Sequence, residues 1–385
     1  MSAPSSESSS ETLADLDLSG ARCSDAARER QDPMLGTAPP QRRFLLVEQE
    51  GGWAFEGFPA LSLQEDVKTE VIRRAEAAGA RIMLIRRPGR HSSAVCLSRA
   101  WCVVDPSARR GHRVTWGTWA YPAELLAAVE RVEELHAAAE DATATATATV
   151  TSSPTATAAP TSTTPATSTT PATSTTPATS TTPATTPSPV EEDDDRDTDD
   201  EEPLVLVCTH GRKDVCCALR GRPVALDLAR RWPEQVWECT HTGGDRFAAN
   251  VVLLPDGATY GGLDTPTAAD VVQAHLEGRP QTAHLRGVTG QPRPVQAALV
   301  AVHEQLGPLP WGTVEVEGSL PVEPVGDDVE AHRVTLRLPD GRRVQVDVGE
   351  HRRPAAQLTC RSGVAKVSQV PVPGPVRVLD RPDAG

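Results

Sequence analysis

With 385 residues and a formal net charge of −14, the chain is long enough for roughly two to three domains. It carries no basic stripe, so nucleic acid is not an expected partner. No run approaches the ~18 apolar residues of a membrane span. The Ser- and Glu-rich start also lacks the basic segment and apolar core of a secretory signal, so the expected location is cytoplasmic and no membrane is involved.

Residues 1–22 read as a disordered tail, and the composition becomes globular from Cys23. RRFLLVEQ at 42–49 and RIMLIRR at 81–87 read as buried strands. Between them, 62–78 has helical spacing, with Val67, Val71, Ile72 and Ala75 on one face. AVCLSRAWCVVD at 94–105 is a third strand or hairpin arm, and an amphipathic helix over 121–139 has Pro122 in its first turn. This order makes residues 23–140 a layered α/β half with a parallel strand pair.

Residues 141–202 read as a linker. TSTTPA occurs four times from Thr161 to Ala184, and the acidic run EEDDDRDTDDEE closes the segment. Such a composition cannot offset the entropy of ordering and is expected to be disordered. It reads as an insertion, so 23–140 and 203–310 are expected to form one compact body.

Residues 203–312 repeat the pattern of strands and helices. LVLVC is a strand, 222–232 a helix with Pro223 in its first turn, and VWECT a second strand. NVVLLPDGATYGGL is a hairpin turning at Pro255-Asp256-Gly257, followed by helices over 267–277 and 295–305. The order resembles the thioredoxin-like fold. From 313 to 385, alternating strands around a Pro-Asp-Gly turn suggest a small all-β appendage. Its lone Cys360 is expected to be a packing residue.

Cysteine chemistry concentrates in 204–250. Two apolar runs each deliver Cys-Thr-His into a polar turn: Cys208-Thr209-His210 and Cys239-Thr240-His241. Cys216 and Cys217 follow in between, and as neighbours they point in different directions, so at most one shares a centre with Cys208. Cys239 and His241 share a face of an extended strand. The donors available to an iron–sulfur or zinc centre are therefore one or two thiols of the loop, His241, and Cys239 or Asp245. The long 208-to-217 gap is unlike the short pairs of most zinc sites, and no C-x-x-C motif supports thiol redox chemistry without metal. His210, Arg212, Arg246 and Asn250 are candidates for hydrogen bonds around the centre. Asp214 is expected to cap a turn.

CTHGRKDVCCALRGRPVA at 208–225, with HTGGDRFAANVVLLPDG at 241–257, resembles the sucrase/ferredoxin-like family. DPMLGTAPPQRRFLLVEQEGGW at 32–53 and IRRPGRH at 85–91 are similar to the N-terminal half of its bacterial members. The resemblance spans 23–140 and 203–312. It implies a thioredoxin-like ferredoxin with a [2Fe-2S] cluster held by two cysteines of a C-x8-C loop and two histidines of H-x3-H. Carried over, these are Cys208, Cys217 and His241. Asp245 stands where the second histidine belongs, so the fourth ligand is open among Cys239, Asp245 and Cys216, with Cys239 preferred because a thiolate is the softer donor. The sucrase activity in the family's name is not carried over, because no carboxylate pair suits a glycosidase.

The expected function is electron transfer with a separate redox partner protein, since neither a dinucleotide-binding nor a P-loop motif is present. The alternative is a non-redox, zinc-binding scaffold.

Overall fold

The computed structural model describes residues 22–89, 98–108, 112–151 and 201–379, with 142–151 as backbone only. The tail at 1–21, the last residues of IRRPGRH, and the TSTTPA repeats lie outside the described residues, as does most of the acidic run.

The first half consists of α1 (Cys23–Glu29), β1 (Arg43–Glu48), α2 (Glu65–Ala77), β2 (Ala80–Arg86), β3 (Arg99–Val104), β4 (Val114–Trp119) and α3 (Leu125–Thr151). α3 passes position 141, where the composition places the start of the linker; the alternating alanines there are the best helix formers. The second half contains β5 (Leu204–Cys208), α4 (Val215–Arg231), β6 (Val236–Cys239), β7 (Val251–Leu254), β8 (Ala258–Tyr260), α5 (Thr265–Leu276), β9 (Leu285–Val288) and α6 (Arg293–Leu306). Five strands follow: β10 (Glu315–Val322), β11 (Glu330–Arg337), β12 (Arg343–Ala356), β13 (Lys366–Pro373) and β14 (Arg377–Val378).

Both halves contribute to one nine-stranded mixed sheet, ordered β4-β3-β1-β2-β6-β5-β7-β8-β9. Each half lays down a parallel pair joined by a helix, then adds a hairpin on the far side of its first strand. The halves meet where β2 and β6 run antiparallel, with Ile85 opposite Cys239 and Arg86 opposite Glu238. Arg86 Nε donates to Glu238 Oε2 across this seam at 2.7 Å. The expected single body is therefore a continuous sheet, despite the linker that interrupts it in sequence.

The central strands are buried on both faces, as the apolar runs require. Alternate residues divide between faces. Leu45 and Val47 pack under α2 and α3, while Val205 and Val207 pack under α4 and α5. Phe44, Leu46, Leu206, Cys208 and Cys239 share the opposite face, which runs unbroken across the seam.

One expectation is corrected. Helix α4 starts at Val215, well before residue 222, because the Asp214 side chain caps it by accepting from the Cys216 N–H at 2.9 Å. Pro223 consequently lies inside the helix. The C-terminal strands form the expected all-β unit, a second sheet. Their sheet packs on α6, whose residues Pro294–Val302 are all buried. A helix buried all round is one held between two layers, here β9 on one side and the second sheet on the other. Among the described residues, no helix is long and apolar enough to cross a membrane.

Candidate functional site

The parallel pair β5/β6 delivers Cys208 and Cys239 side by side in register at its carboxyl end. The chain after β5 turns at once into α4, and α4 comes unusually close to the strand it left. A Cβ on Gly221 would sit 2.1 Å from the Cys208 carbonyl oxygen, so only glycine permits the approach. That closeness brings Cys217 over Cys208.

Cys208 accepts hydrogen bonds from the Cys217 thiol and the His210 backbone N–H. The Cys217 bond is the larger cause pulling the Cys208 thiol down, to about 6, against the opposing effect of burial. Cys217 is raised for the matching reason, since it carries the shared proton beside Cys208, and burial adds to it. Cys217 Sγ also lies 3.3 Å from Asp245 Oδ1. The same oxygen is 3.0 Å from His241 Nδ1. His241 Nδ1 is buried and makes no hydrogen bond.

The bend that brings residues 241 and 245 together is Gly243-Gly244, with φ of 86° and 73°. Both lie in the left-handed region that favours glycine. Gly244 has a second duty: a Cβ there would meet the Arg286 guanidinium at 2.3 Å. Arg286 is 1 % exposed and donates to the Gly243 carbonyl at 3.0 Å and to Asn250 Oδ1 at 2.8 Å. Burial pushes its guanidinium down to about 10, and Arg246 acts in the same direction, while Asp245, Cys208 and Cys217 oppose them. Arg81, on the other side, donates to the His241 carbonyl. Two largely buried cations thus flank the thiols, and neither was singled out from the sequence. The available signal was an arginine within the otherwise apolar strand LRGV, a setting where a charge is rare unless it is paired.

The remaining sequence candidates fall as follows. Cys239 is fully buried beside Cys208, within its electrostatic influence, and no hydrogen bond joins it to Cys217, His241 or Asp245 among the described residues. His210 is engaged elsewhere. Its Nδ1 accepts from the His241 N–H at 3.3 Å and its Nε2 faces the Ala54 carbonyl at 2.7 Å, so Nε2 carries the proton. Burial lowers its pKa, which favours the neutral ring. Asn250 ties Arg286 to the loop by donating to the Gly244 carbonyl at 3.0 Å. Arg246 reaches Asp32 at 3.5 Å and stacks on Phe247. Arg212 lines an open cleft of about 670 Å³ with Trp53, Phe55, His210, Arg86 and Arg361.

Cys216 faces a different set. Cys23, Asp214, Cys216 and Cys360 bring one ligand atom each to within 4.8 Å of one another, a group able to hold a metal ion. Cys360 packs against the core as expected, and its sulfur also lies 3.3 Å from Cys216 Sγ and 3.5 Å from Cys23 Sγ. The cause is the docking of the second sheet, which composition could not foretell.

Fold and site together define a mixed α/β protein with cysteines gathered at the carboxyl end of a parallel strand pair and, beside them, one Cys/Asp group able to hold a metal ion. The sequence profile of the sucrase/ferredoxin-like family matches residues 34–287, and the chain belongs to that family. No curated protein matches the chain, and no solved structure does.

Proposed function

We propose that this chain is an electron-transfer protein whose [2Fe-2S] cluster is held by Cys208, Cys217, His241 and Asp245. The observation that carries the reading is His241 Nδ1, buried without a hydrogen bond and 3.0 Å from the carboxylate that also touches Cys217. A buried imidazole nitrogen facing a carboxylate that also touches a thiol gathers three kinds of donor a metal centre can use. Asp245 is preferred to Cys239 as the fourth donor because it already contacts two of the other three. The strand order second–first–third–fourth in each half supports a thioredoxin-like description of the fold.

When bound, such a cluster takes up and releases one electron, and a neutral imidazole in place of a thiolate raises its potential. The chain's own residues supply the setting. Arg286 and Arg81 offset thiolate charge from two sides. His210 pins the loop that carries His241 to the Ala54 carbonyl of the first half. The His241 side chain is the outermost of the donors, 26 % exposed against 6 % for Asp245, so a redox partner protein would exchange electrons from that side.

Anaerobic reconstitution with iron and sulfide tests this. The expected product is coloured and contains two irons and two labile sulfides per chain, with a paramagnetic reduced state. A colourless protein overturns the reading, and zinc without iron or sulfide favours a non-redox scaffold instead.

A further inference from the structure

We propose that Cys23, Cys216, Cys360 and Asp214 form a structural zinc site, separate from the proposed cluster site, that staples the amino-terminal helix and the C-terminal sheet to the start of α4. The three sulfurs form a triangle with edges of 3.3, 3.5 and 3.8 Å. Four donors placed tetrahedrally about zinc at ~2.3 Å have S···S edges of about 3.8 Å. The observed triangle is close to that size, and far wider than the ~2.05 Å of a disulfide bond.

The fourth donor is in position. Asp214 is fully buried, and its Oδ2 lies 3.6 Å from Cys23 Sγ. Both its oxygens are already oriented by backbone donors: Oδ1 by the Cys216 N–H at 2.9 Å and Oδ2 by the Cys360 N–H at 2.7 Å. Each oxygen keeps a lone pair, and a carboxylate aimed by outer hydrogen bonds is the usual form of a metal-ligating one. The Cys216 thiol sits in the first turn of α4, where the helix dipole favours a thiolate. Four protein donors leave no open position, which marks a structural site rather than a catalytic one.

The ligands come from three places remote in sequence: α1, the cap and first turn of α4, and the loop between β12 and β13. Cys23 and Cys360 are separated by 337 positions. A metal there would fasten both ends of the described chain to the element that also carries Cys217.

The site is independent of the cluster proposal, and the test keeps them apart. Full-length protein, purified anaerobically with reductant, should contain one zinc per chain in addition to any iron and sulfide. Cys360→Ser and Cys23→Ser should each lose that zinc and keep their iron, while Cys217→Ser should lose iron and keep zinc. In Cys217→Ser stripped of zinc, one equivalent of cobalt(II) should give the intense visible bands of tetrahedral thiolate coordination, displaced by zinc. Should either serine variant fold poorly, the cobalt titration of Cys217→Ser, repeated on wild type, still decides. Absence of zinc and of tetrahedral cobalt overturns the proposal. So does full zinc retention in both serine variants, or a metal-free disulfide between any two of the three cysteines.

Discussion

Cys216 and Cys217 are consecutive residues whose sulfurs belong to different groups. Cys216 Sγ is 3.3 Å from Cys360 Sγ, whereas Cys217 Sγ is 3.3 Å from Asp245 Oδ1. Successive residues on a helix are turned by about 100°. The first turn of α4 therefore presents one thiol to the seam of the large sheet and the other to the N-terminal helix and the second sheet. Because α4 carries both, Gly221 and Asp214 position the two groups together.

Asp245→Ala is expected to abolish stable cluster assembly, and Asp245→His to keep it. Cys239→Ala should leave the visible and paramagnetic resonance spectra unchanged. A spectrum altered by Cys239→Ala and untouched by Asp245→Ala would reassign the fourth ligand to Cys239.

The midpoint potential of the reconstituted protein is expected to fall as pH rises, by up to about 59 mV per unit for a one-electron, one-proton couple. The sign follows from charge: the reduced, more negative centre binds a proton on the ligand imidazole more tightly. His241→Cys should lower the potential and flatten this slope. A titration identical to wild type would remove His241 from the ligand set.

Gly221→Ala forces a Cβ to within 2.1 Å of the Cys208 carbonyl oxygen, and backbone cannot yield as a side-chain tip can. The expected cost is about 1–3 kcal/mol, as for other overpacked sites. Thermal unfolding of apo protein measures it. A lowered iron content in the same variant would show that the α4-to-β5 spacing also sets the cluster site.

Asp347 is held down to about 2, first by its hydrogen bond with Arg333, with burial opposing and Arg377 adding to the effect. Its folded pKa is depressed from 3.8, so the stabilisation is complete above that value and is lost as pH falls towards about 2. The carboxylate is 34 % exposed, so screening limits the contribution to under ~1 kcal/mol. Asp347→Asn should melt slightly below wild type at neutral pH and coincide with it near the lower limit.

Much of the site was legible locally. Cys208 at a strand end, Asp214 as a cap and the double glycine after His241 are short-range signals, and each has the local role its type suggests. The pairing of two α/β halves was readable from repeated strand–helix order, because buried parallel strands need near-continuous apolar runs. The start of α4 was missed because Pro223 is a stronger written signal than a capping aspartate.

What the sequence determined by itself was the donors around Cys208 and His241 and most of the elements that carry them, since hydrophobic period, caps and turn glycines act over a few residues. Tertiary structure alone decided how the donors divide. It turned Cys239 from Asp245, brought Arg286 and Arg81 against the thiols, and joined Cys23 to Cys360 across 337 positions. Those contacts depend on how the sheets and helices dock, and docking is governed by shape and buried area summed over the whole chain, which no local pattern records.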